Sequence, residues 1–192
     1  MNFAEYNVKD ANLEEILLAL KSLDTVEAVA LGGSRSTGAS DENSDYDIYV
    51  YCAEIPTAET RENLLGKYCS IAEFGNHYWE SEDNTVMNNG IPVDIIYREV
   101  ERFGRYIDTV IKGGKAFNGY TTAFWHNIKN SKVLIDKTGT FTKFRDMAQI
   151  DFPENLRSAI IKNNRNLLNG KLPSYDRQIK KAQERGDIVS VN

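Results

Sequence analysis

The chain has 192 residues, 41% of them hydrophobic and 27% charged, a composition that supports a buried core and excludes wholesale disorder. Its formal net charge of -5 gives no general attraction to a phosphate backbone, which argues against bulk nucleic-acid binding. No apolar run reaches the roughly 18 residues of a membrane span and the start lacks signal-peptide character, so we expect a cytoplasmic protein with no membrane partner.

Helices and strands alternate in the first part of the predicted fold. Apolar residues at helical spacing predict helices over 12–23 and 98–112, and a further helix is predicted from Pro56 onward. Short apolar or β-branched runs predict core strands over 25–31, 46–52 and 91–97. The first of these strands ends at a Gly-Gly turn.

The remainder of the chain has helical patterns, over 121–130, 142–149, 154–169 and 175–184. The predicted fold class is therefore α/β (α+β), a small mixed sheet with flanking helices. We expect a first domain over 1–114 and a helical region over 115–192. Residues 186–192 carry no terminating signal, from which we expect the chain to be part of a longer protein.

Two carboxylates begin the second predicted strand. Asp45 and Asp47 are two residues apart, so on a strand their side chains point to the same face. Their mutual repulsion is offset either by water at an exposed strand start or by a cation. A hard divalent ion such as Mg²⁺ is best matched to oxygen ligands.

A third carboxylate, Asp94, interrupts the apolar strand over 91–97 and faces away from Val93 and Ile95. Placed beside Asp45 and Asp47, it gathers enough negative charge for two metal ions. Two such ions can activate an attacking hydroxyl and stabilise a leaving oxygen in phosphoryl chemistry. The three acids are therefore the candidate metal-binding and catalytic residues.

The loop before these acids has the composition of a phosphate cradle. Gly32 and Gly33 allow a sharp turn that exposes main-chain N–H groups to an anion. The following residues add hydroxyl groups and a guanidinium fork: Ser34, Arg35, Ser36 and Thr37. For Arg35 there is an equal alternative, in which it is solvated or paired with Asp41 or Glu42.

Other charged or aromatic groups favour a structural interpretation. His77 and His126 stand beside aromatic residues and are expected to be packing or surface groups. An acidic cluster is expected to be a solvated edge, or alternatively to attract a cationic acceptor: Glu73, Glu80, Glu82 and Asp83. A basic group is expected to be a solvated helix face, or alternatively a triphosphate contact: Lys180, Lys181 and Arg185.

Taken together, these motifs resemble those of nucleotidyltransferases of the DNA polymerase β superfamily, particularly the small-molecule branch that includes antibiotic nucleotidyltransferases. The resemblance rests on Gly-Gly-Ser ending at Ser34, on Asp45-Tyr-Asp47 and on Val-Asp94-Ile, and it covers about the first hundred residues. It implies that Gly33 and Ser34 contact the nucleotide phosphates. It also implies that Asp45 and Asp47 hold the metals and that Asp94 completes the metal site or acts as the base.

The activity expected from this resemblance is transfer of a nucleoside monophosphate, AMP from ATP, to the hydroxyl of a small-molecule acceptor with release of pyrophosphate. Two Mg²⁺ ions are the expected cofactors, and the helical region is the expected substrate side. One alternative is a non-catalytic nucleotide-binding or antitoxin-like module, which has little need of three intact acids. Another is a glycosyltransferase with an Asp-x-Asp metal site, which the Gly-Gly-Ser loop and the third acid disfavour.

Overall fold

A computed structural model gives the fold and describes residues 10–41, 44–117, 121–169 and 174–187. The strands of this part are β1 Val26–Leu31, β2 Tyr46–Cys52, β3 Cys69–Asn76, β4 Ser81–Met87, β5 Pro92–Glu99 and β6 Lys132–Asp136. The α-helices are α1 Ala11–Ser22, α2 Gly33–Thr37, α3 Ala58–Leu65, α4 Val100–Ile111, α5 Ala123–Asn130, α6 Thr140–Ala148, α7 Glu154–Asn169 and α8 Tyr175–Glu184. The mixed sheet with flanking helices confirms the predicted fold class.

The described strands form one sheet in the order β3-β4-β5-β2-β1-β6. β2 and β5 are parallel, and the other neighbouring pairs are antiparallel. The chain reaches β5 from β2 through α3 and the β3–β4 hairpin. This crossover places two strands that are distant in sequence side by side at the centre of the sheet.

A large hydrophobic cluster lies on the face of this sheet that packs against α1. Alternate residues of β2 and β5, such as Ile48 and Ile95, are fully buried there and pack in the same cluster as the apolar residues of α1. α1 begins where the Asp10 carboxylate accepts hydrogen bonds from the backbone N–H groups of Asn12 (3.0 Å) and Leu13 (3.3 Å). The intervening residues of β2 and β5 point to the opposite face.

Strand β6 was not predicted. It lies in the stretch where the sequence predicts helices only, and it pairs antiparallel with β1 at the edge of the sheet. Its five residues are too few for a periodic pattern to separate a strand from a helix. Pairing with β1, together with burial of Leu134 and Ile135, decides the conformation.

The chain divides into two compact units. The first comprises Met1–Tyr106 and Trp125–Gln149, and the second comprises Ile107–Phe124 and Ile150–Asn192. β6 and α6, which fall in the predicted helical region, belong to the unit that contains the sheet. The assignment of 1–114 to nucleotidyl transfer and of 115–192 to the substrate side stays a prediction. The expectation that the chain is part of a longer protein rests on residues 186–192, of which 188–192 lie outside the described residues.

The expectation of a solvated acidic edge was wrong for Asp83. This residue is fully buried in β4, 3.2 Å from the Arg61 guanidinium, and its carboxylate accepts a hydrogen bond from the backbone N–H of Gly75 (2.8 Å). Burial raises the pKa of Asp83, and the hydrogen bond and Arg61 oppose that rise. None of the helices in the described ranges is long and apolar enough to cross a membrane.

Candidate active site

The parallel pairing of β2 with β5 brings two of the predicted acids together. Asp47 lies directly opposite Asp94 in the register of these strands, and neighbouring strands are about 4.8 Å apart. Both side chains are half-buried and stand on the face opposite the core. Asp45 is exposed and immediately precedes β2. Two strands that the sequence separates by forty residues thus carry the acids to one place.

The electrostatics of Asp47 reflect this arrangement. Its pKa is raised from the ordinary value of 3.8, first by burial and then by the negative charges of Asp45 and Asp94. An opposing positive charge is therefore favourable at this point.

Asp94 is held by a row of amides that crosses the sheet. Asn84 of β4 lies opposite Asp94, and its Nδ2 donates to Asp94 Oδ1 at 2.9 Å. Asn76 of β3 donates in turn to Asn84 Oδ1 at 2.7 Å. One oxygen of the Asp94 carboxylate is thereby fixed by a donor. The sequence analysis missed both asparagines, since only the strand register shows that they adjoin an acid.

The Gly-Gly turn is pressed against β2. The backbone N–H of Gly32 donates to the Asp47 carbonyl at 2.8 Å. Gly33 has a φ of 60°, and a Cβ at this position would lie 1.7 Å from Asp47 Oδ2. A Cβ on Gly32 would lie 2.3 Å from Cε2 of Tyr49. Both positions therefore require glycine, because the neighbouring side chains of β2 leave no room for a Cβ atom. The turn and the Asp47 carboxylate are in direct contact.

The Arg35 side chain contacts backbone carbonyls and an aromatic ring of the chain, which differs from the phosphate-binding role considered from the sequence. Its Nε donates to the carbonyls of Ser44 (2.9 Å) and Asp45 (3.0 Å), and its guanidinium stacks 4.1 Å from the ring centroid of Tyr46. Arg35 thus ties α2 to the segment that carries Asp45. Among the alternatives considered from sequence, Glu42 lies outside the described residues.

The hydroxyl groups of α2 differ in their hydrogen bonds. Ser36 Oγ donates to the Gly33 carbonyl at 2.8 Å, and Thr37 Oγ1 donates to the Ser34 carbonyl at 3.1 Å. These two hydroxyl protons are used within the helix, so the oxygens present lone pairs to a ligand. Thr37 is thereby less suited to donate to a phosphate than its residue type suggests.

A cavity of about 250 Å³ opens beside the turn. It is lined by Gly32, Gly33, Ser34, Ser36, Thr37, His126, Asn127, Asn130 and Ser131. The turn and α2 supply one wall, and α5 with the residue that follows it supplies the other. The sequence analysis treated His126 as a packing or surface group and did not single out the amides. The available signal was the polar face of a helix whose other face carries Trp125 and Ile128.

Tyr49 of β2, together with its hydrogen-bonding and stacking partners, packs against the Gly-Gly turn. The ring of Tyr49 packs under Gly32, and its hydroxyl accepts a hydrogen bond from Asn127 Nδ2 at 3.0 Å. The Arg98 guanidinium stacks 4.2 Å from the Tyr49 ring centroid and donates to both oxygens of Glu80, at 2.9 Å and 2.8 Å. Burial raises the pKa of Tyr49 to about 12, so this phenol stays protonated at neutral pH. Tyr49 therefore links the turn to α5.

The other predicted groups lie apart from this cavity lining. His77 is exposed, as are Lys180, Lys181 and Arg185 of the second unit. Their exposure agrees with the surface interpretation made from the sequence.

The chemistry of the donor set suits a hard divalent ion, since Asp47 and Asp94 stand opposite each other, Asp45 precedes β2, and burial of Asp47 favours charge compensation. As the side chains stand, the described residues include no group of three or more His, Cys, Asp or Glu arranged to hold a metal. The Asp47 carboxylate contacts the turn, and Oδ1 of Asp94 accepts a hydrogen bond from Asn84.

Residues 13–117 match the family model of the nucleotidyltransferase domain, which is more than half of the chain. The chain therefore belongs to this family, and the resemblance predicted from its motifs is confirmed. The match includes the Gly-Gly turn and all three acids, and it ends before α5. It supports nucleotidyl transfer as the general activity.

No curated protein matches the chain significantly. One solved structure that matches is described as "Crystal structure of the toxin-antitoxin with AMP-PNP". The similarity covers 92% of this chain and 96% of that chain, with 16% identity and a TM-score of 0.40. A TM-score this low supports no conclusion about the fold or the function of this chain.

Proposed function

We propose that the chain is a metal-dependent nucleotidyltransferase that transfers AMP from ATP to the hydroxyl of a small-molecule acceptor and releases pyrophosphate. One observation carries the proposal: Asp47 and Asp94 stand opposite each other on parallel strands, with Asp45 at the start of β2 and the Gly-Gly turn against Asp47. Membership of the nucleotidyltransferase family supports the reaction class.

In the proposed reaction, the acceptor oxygen attacks the α-phosphorus in line. A bond forms between them, and the bond from the α-phosphorus to the bridging oxygen of the β-phosphate breaks. Pyrophosphate leaves with that electron pair, and Asp94 takes the proton of the attacking hydroxyl. Gly33 and Ser34 hold the phosphates, and the close approach of the turn to Asp47 keeps the phosphates beside the acids.

The metal site would be formed by Asp45, Asp47 and Asp94, whose oxygens suit two Mg²⁺ ions. Bound there, the ions would supply charge neutralisation of the phosphates and a lower pKa for the attacking hydroxyl. Burial first, and then the charges of Asp45 and Asp94, raise the pKa of Asp47, and a cation bound there would offset these effects. Arg35 acts on this site by fixing the carbonyls of Ser44 and Asp45.

The test is pyrophosphate release from ATP and Mg²⁺ across a panel of hydroxyl-bearing small molecules. We expect one acceptor class to support turnover by the wild type and D47N to lose at least about a hundredfold, in line with removal of a group that acts on the reacting charges. D108N is the matched control. Asp108 is half-exposed and pairs with Lys112 on the surface of α4, so the same chemical change there should leave turnover intact.

The outcomes separate the proposal from its rivals. ATP binding without pyrophosphate release for any acceptor would favour the non-catalytic nucleotide-binding module. Full activity of D47N would contradict the metal assignment. Preference for a UDP-sugar over ATP would revive the glycosyltransferase.

A further inference from the structure

Helix α5 lies outside the segment that matches the family model, which ends at residue 117. One face of the helix anchors it, because Trp125 and Ile128 are buried and Trp125 Nε1 donates to the Ala148 carbonyl at 2.9 Å. The other face supplies His126, Asn127 and Asn130 to the cavity beside the Gly-Gly turn. An anchored helix thus presents an imidazole and two amides to the wall opposite the predicted phosphate cradle.

The hydrogen bonds of this face indicate that the free ring nitrogen of His126 is a donor. Asn130 Nδ2 contacts His126 Nδ1 at 3.2 Å and the His126 carbonyl at 2.8 Å. An amide nitrogen only donates, so Nδ1 accepts and the proton of the neutral ring sits on Nε2. Asn127 Nδ2 is engaged by Tyr49. Asn130 therefore orients the ring, and His126 Nε2–H is a donor on this face that can reach a ligand in the cavity.

The size and lining of the cavity indicate what it takes. No acidic residue lines it, although the Asp47 carboxylate contacts the same turn. Its volume of about 250 Å³ is below the roughly 300–1,000 Å³ of sites that hold a whole ligand, so it has room for part of a nucleotide. In the strand order, Asp94 on β5 lies on one side of β2, and β1 and β6 lie on the other. Gly33 contacts Asp47 and also lines the cavity, so a nucleotide with its α-phosphate at the acids and its remaining phosphates along the turn would reach α5.

We propose that α5 is the second wall of the phosphate site, and that His126, oriented by Asn130, binds the phosphate tail beyond the α-phosphate and selects nucleoside triphosphates over monophosphates. This inference rests on the proposed function, because it takes the acids as the place of the α-phosphate. It assigns a ligand contact to a residue beyond the family match. His126 is the binding residue, and Asn130 is a positioning residue that acts through it.

The test is calorimetric titration in Mg²⁺ buffer with AMP-PNP, a non-hydrolysable triphosphate, and with AMP. H126A should raise the Kd for AMP-PNP about tenfold, the loss expected for one hydrogen bond to a charged group, and leave the Kd for AMP within about twofold. H126Q retains an N–H donor and should lose less. N130A should weaken AMP-PNP binding, and adding N130A to H126A should cause no further loss.

The control is H77A, since His77 is the other histidine of the chain, is exposed to solvent and does not line the cavity. H77A should bind both nucleotides as the wild type does, and unchanged circular dichroism of H126A excludes misfolding as a cause. Equal AMP-PNP affinity in wild type and H126A, or an equal loss for AMP and AMP-PNP, would overturn the assignment to the phosphate tail while leaving the proposed function standing. Failure of the wild type to bind either nucleotide would instead remove the proposed function, and this inference with it.

Discussion

Gly33 is constrained both by its backbone conformation and by its contact with a carboxylate of the candidate site. Its φ of 60° belongs to the left-handed region, and an added Cβ would fall 1.7 Å from Asp47 Oδ2. Gly38 has a φ of 79° with nothing within 4 Å of an added Cβ. The two positions therefore share the conformational cost of a side chain and differ in the clash with a site carboxylate.

We expect G33A and G38A each to lower the free energy of unfolding by about 1–2 kcal/mol, the cost of a left-handed non-glycine residue. G33A should lose a further increment and most of its turnover, because Asp47 must move. Urea denaturation and the pyrophosphate assay measure the two effects. Equal activity of G33A and G38A would show that the contact between the turn and Asp47 does not matter to the reaction.

Asp47 also gives a prediction about stability and pH. Its unfolded carboxyl titrates near 3.8, whereas its pKa in the folded chain is higher because of burial, Asp45 and Asp94. The folded state holds this proton more tightly, so its contribution to stability is greatest below 3.8 and falls as pH rises through the folded pKa. D47N does not titrate and escapes that fall.

In chelator, without divalent ions, D47N should therefore equal or exceed the wild type in stability at neutral pH, by about 0.2–1 kcal/mol for relief of a like-charge cross-strand pair. Thermal unfolding of both proteins from pH 3 to pH 8 measures the difference. Adding Mg²⁺ should stabilise the wild type more than the variant. A D47N advantage that shrinks as pH rises in chelator would contradict the stated electrostatics.

At the scale of elements, Arg35 links α2 to the segment before β2. Its Nε reaches the carbonyls of Ser44 and Asp45, and its guanidinium stacks on Tyr46. A lysine has no planar fork to make these contacts together. The role indicated by these contacts is to fix Asp45 and not to hold a phosphate.

R35K should therefore raise the Mg²⁺ concentration needed for half-maximal activity by roughly three- to tenfold, as expected for loss of a contact that orients a metal ligand. Its Kd for AMP-PNP measured without divalent ions should change little, because the lost contacts are within the chain. Calorimetry in chelator and metal titration of turnover separate these quantities. If R35K instead weakens metal-free nucleotide binding by tenfold, Arg35 is a phosphate ligand, as its residue type alone suggested.

The elements that the sequence predicted well are those with long or strongly apolar patterns. α1, β1, β2, β5 and α7 lie where their patterns place them, to within a few residues. β6 was missed because its five residues depend on β1 for their conformation. Asp83 was misassigned because a charged residue in a polar stretch resembles a surface residue. Its burial is accounted for by Arg61 of α3 and the backbone N–H of Gly75 in β3, two contacts from other elements that the local sequence does not reveal.

For the molecule as a whole, local sequence patterns identified the acids and the Gly-Gly turn. The residues that adjoin them in space could be identified only from the topology of the fold. Asp45, Asp47, Asp94 and Gly33 stand out as residues whose types are unexpected in their elements. Asn84 and His126 do not, since their positions depend on the antiparallel β4–β5 pairing and on the return of the chain to the first unit at Trp125. Contacts between distant segments carry no local signal in one sequence.

The central claim is that the acids of two parallel strands bind divalent ions beside the Gly-Gly turn. Its most direct test is a crystal of the wild type grown with AMP-PNP and Mn²⁺, with anomalous difference density recorded for manganese. The account predicts manganese peaks bounded by Asp45, Asp47 and Asp94, with the phosphates against Gly33 and Ser34. Bound nucleotide with no manganese at these carboxylates, or manganese held elsewhere in the chain, would contradict it.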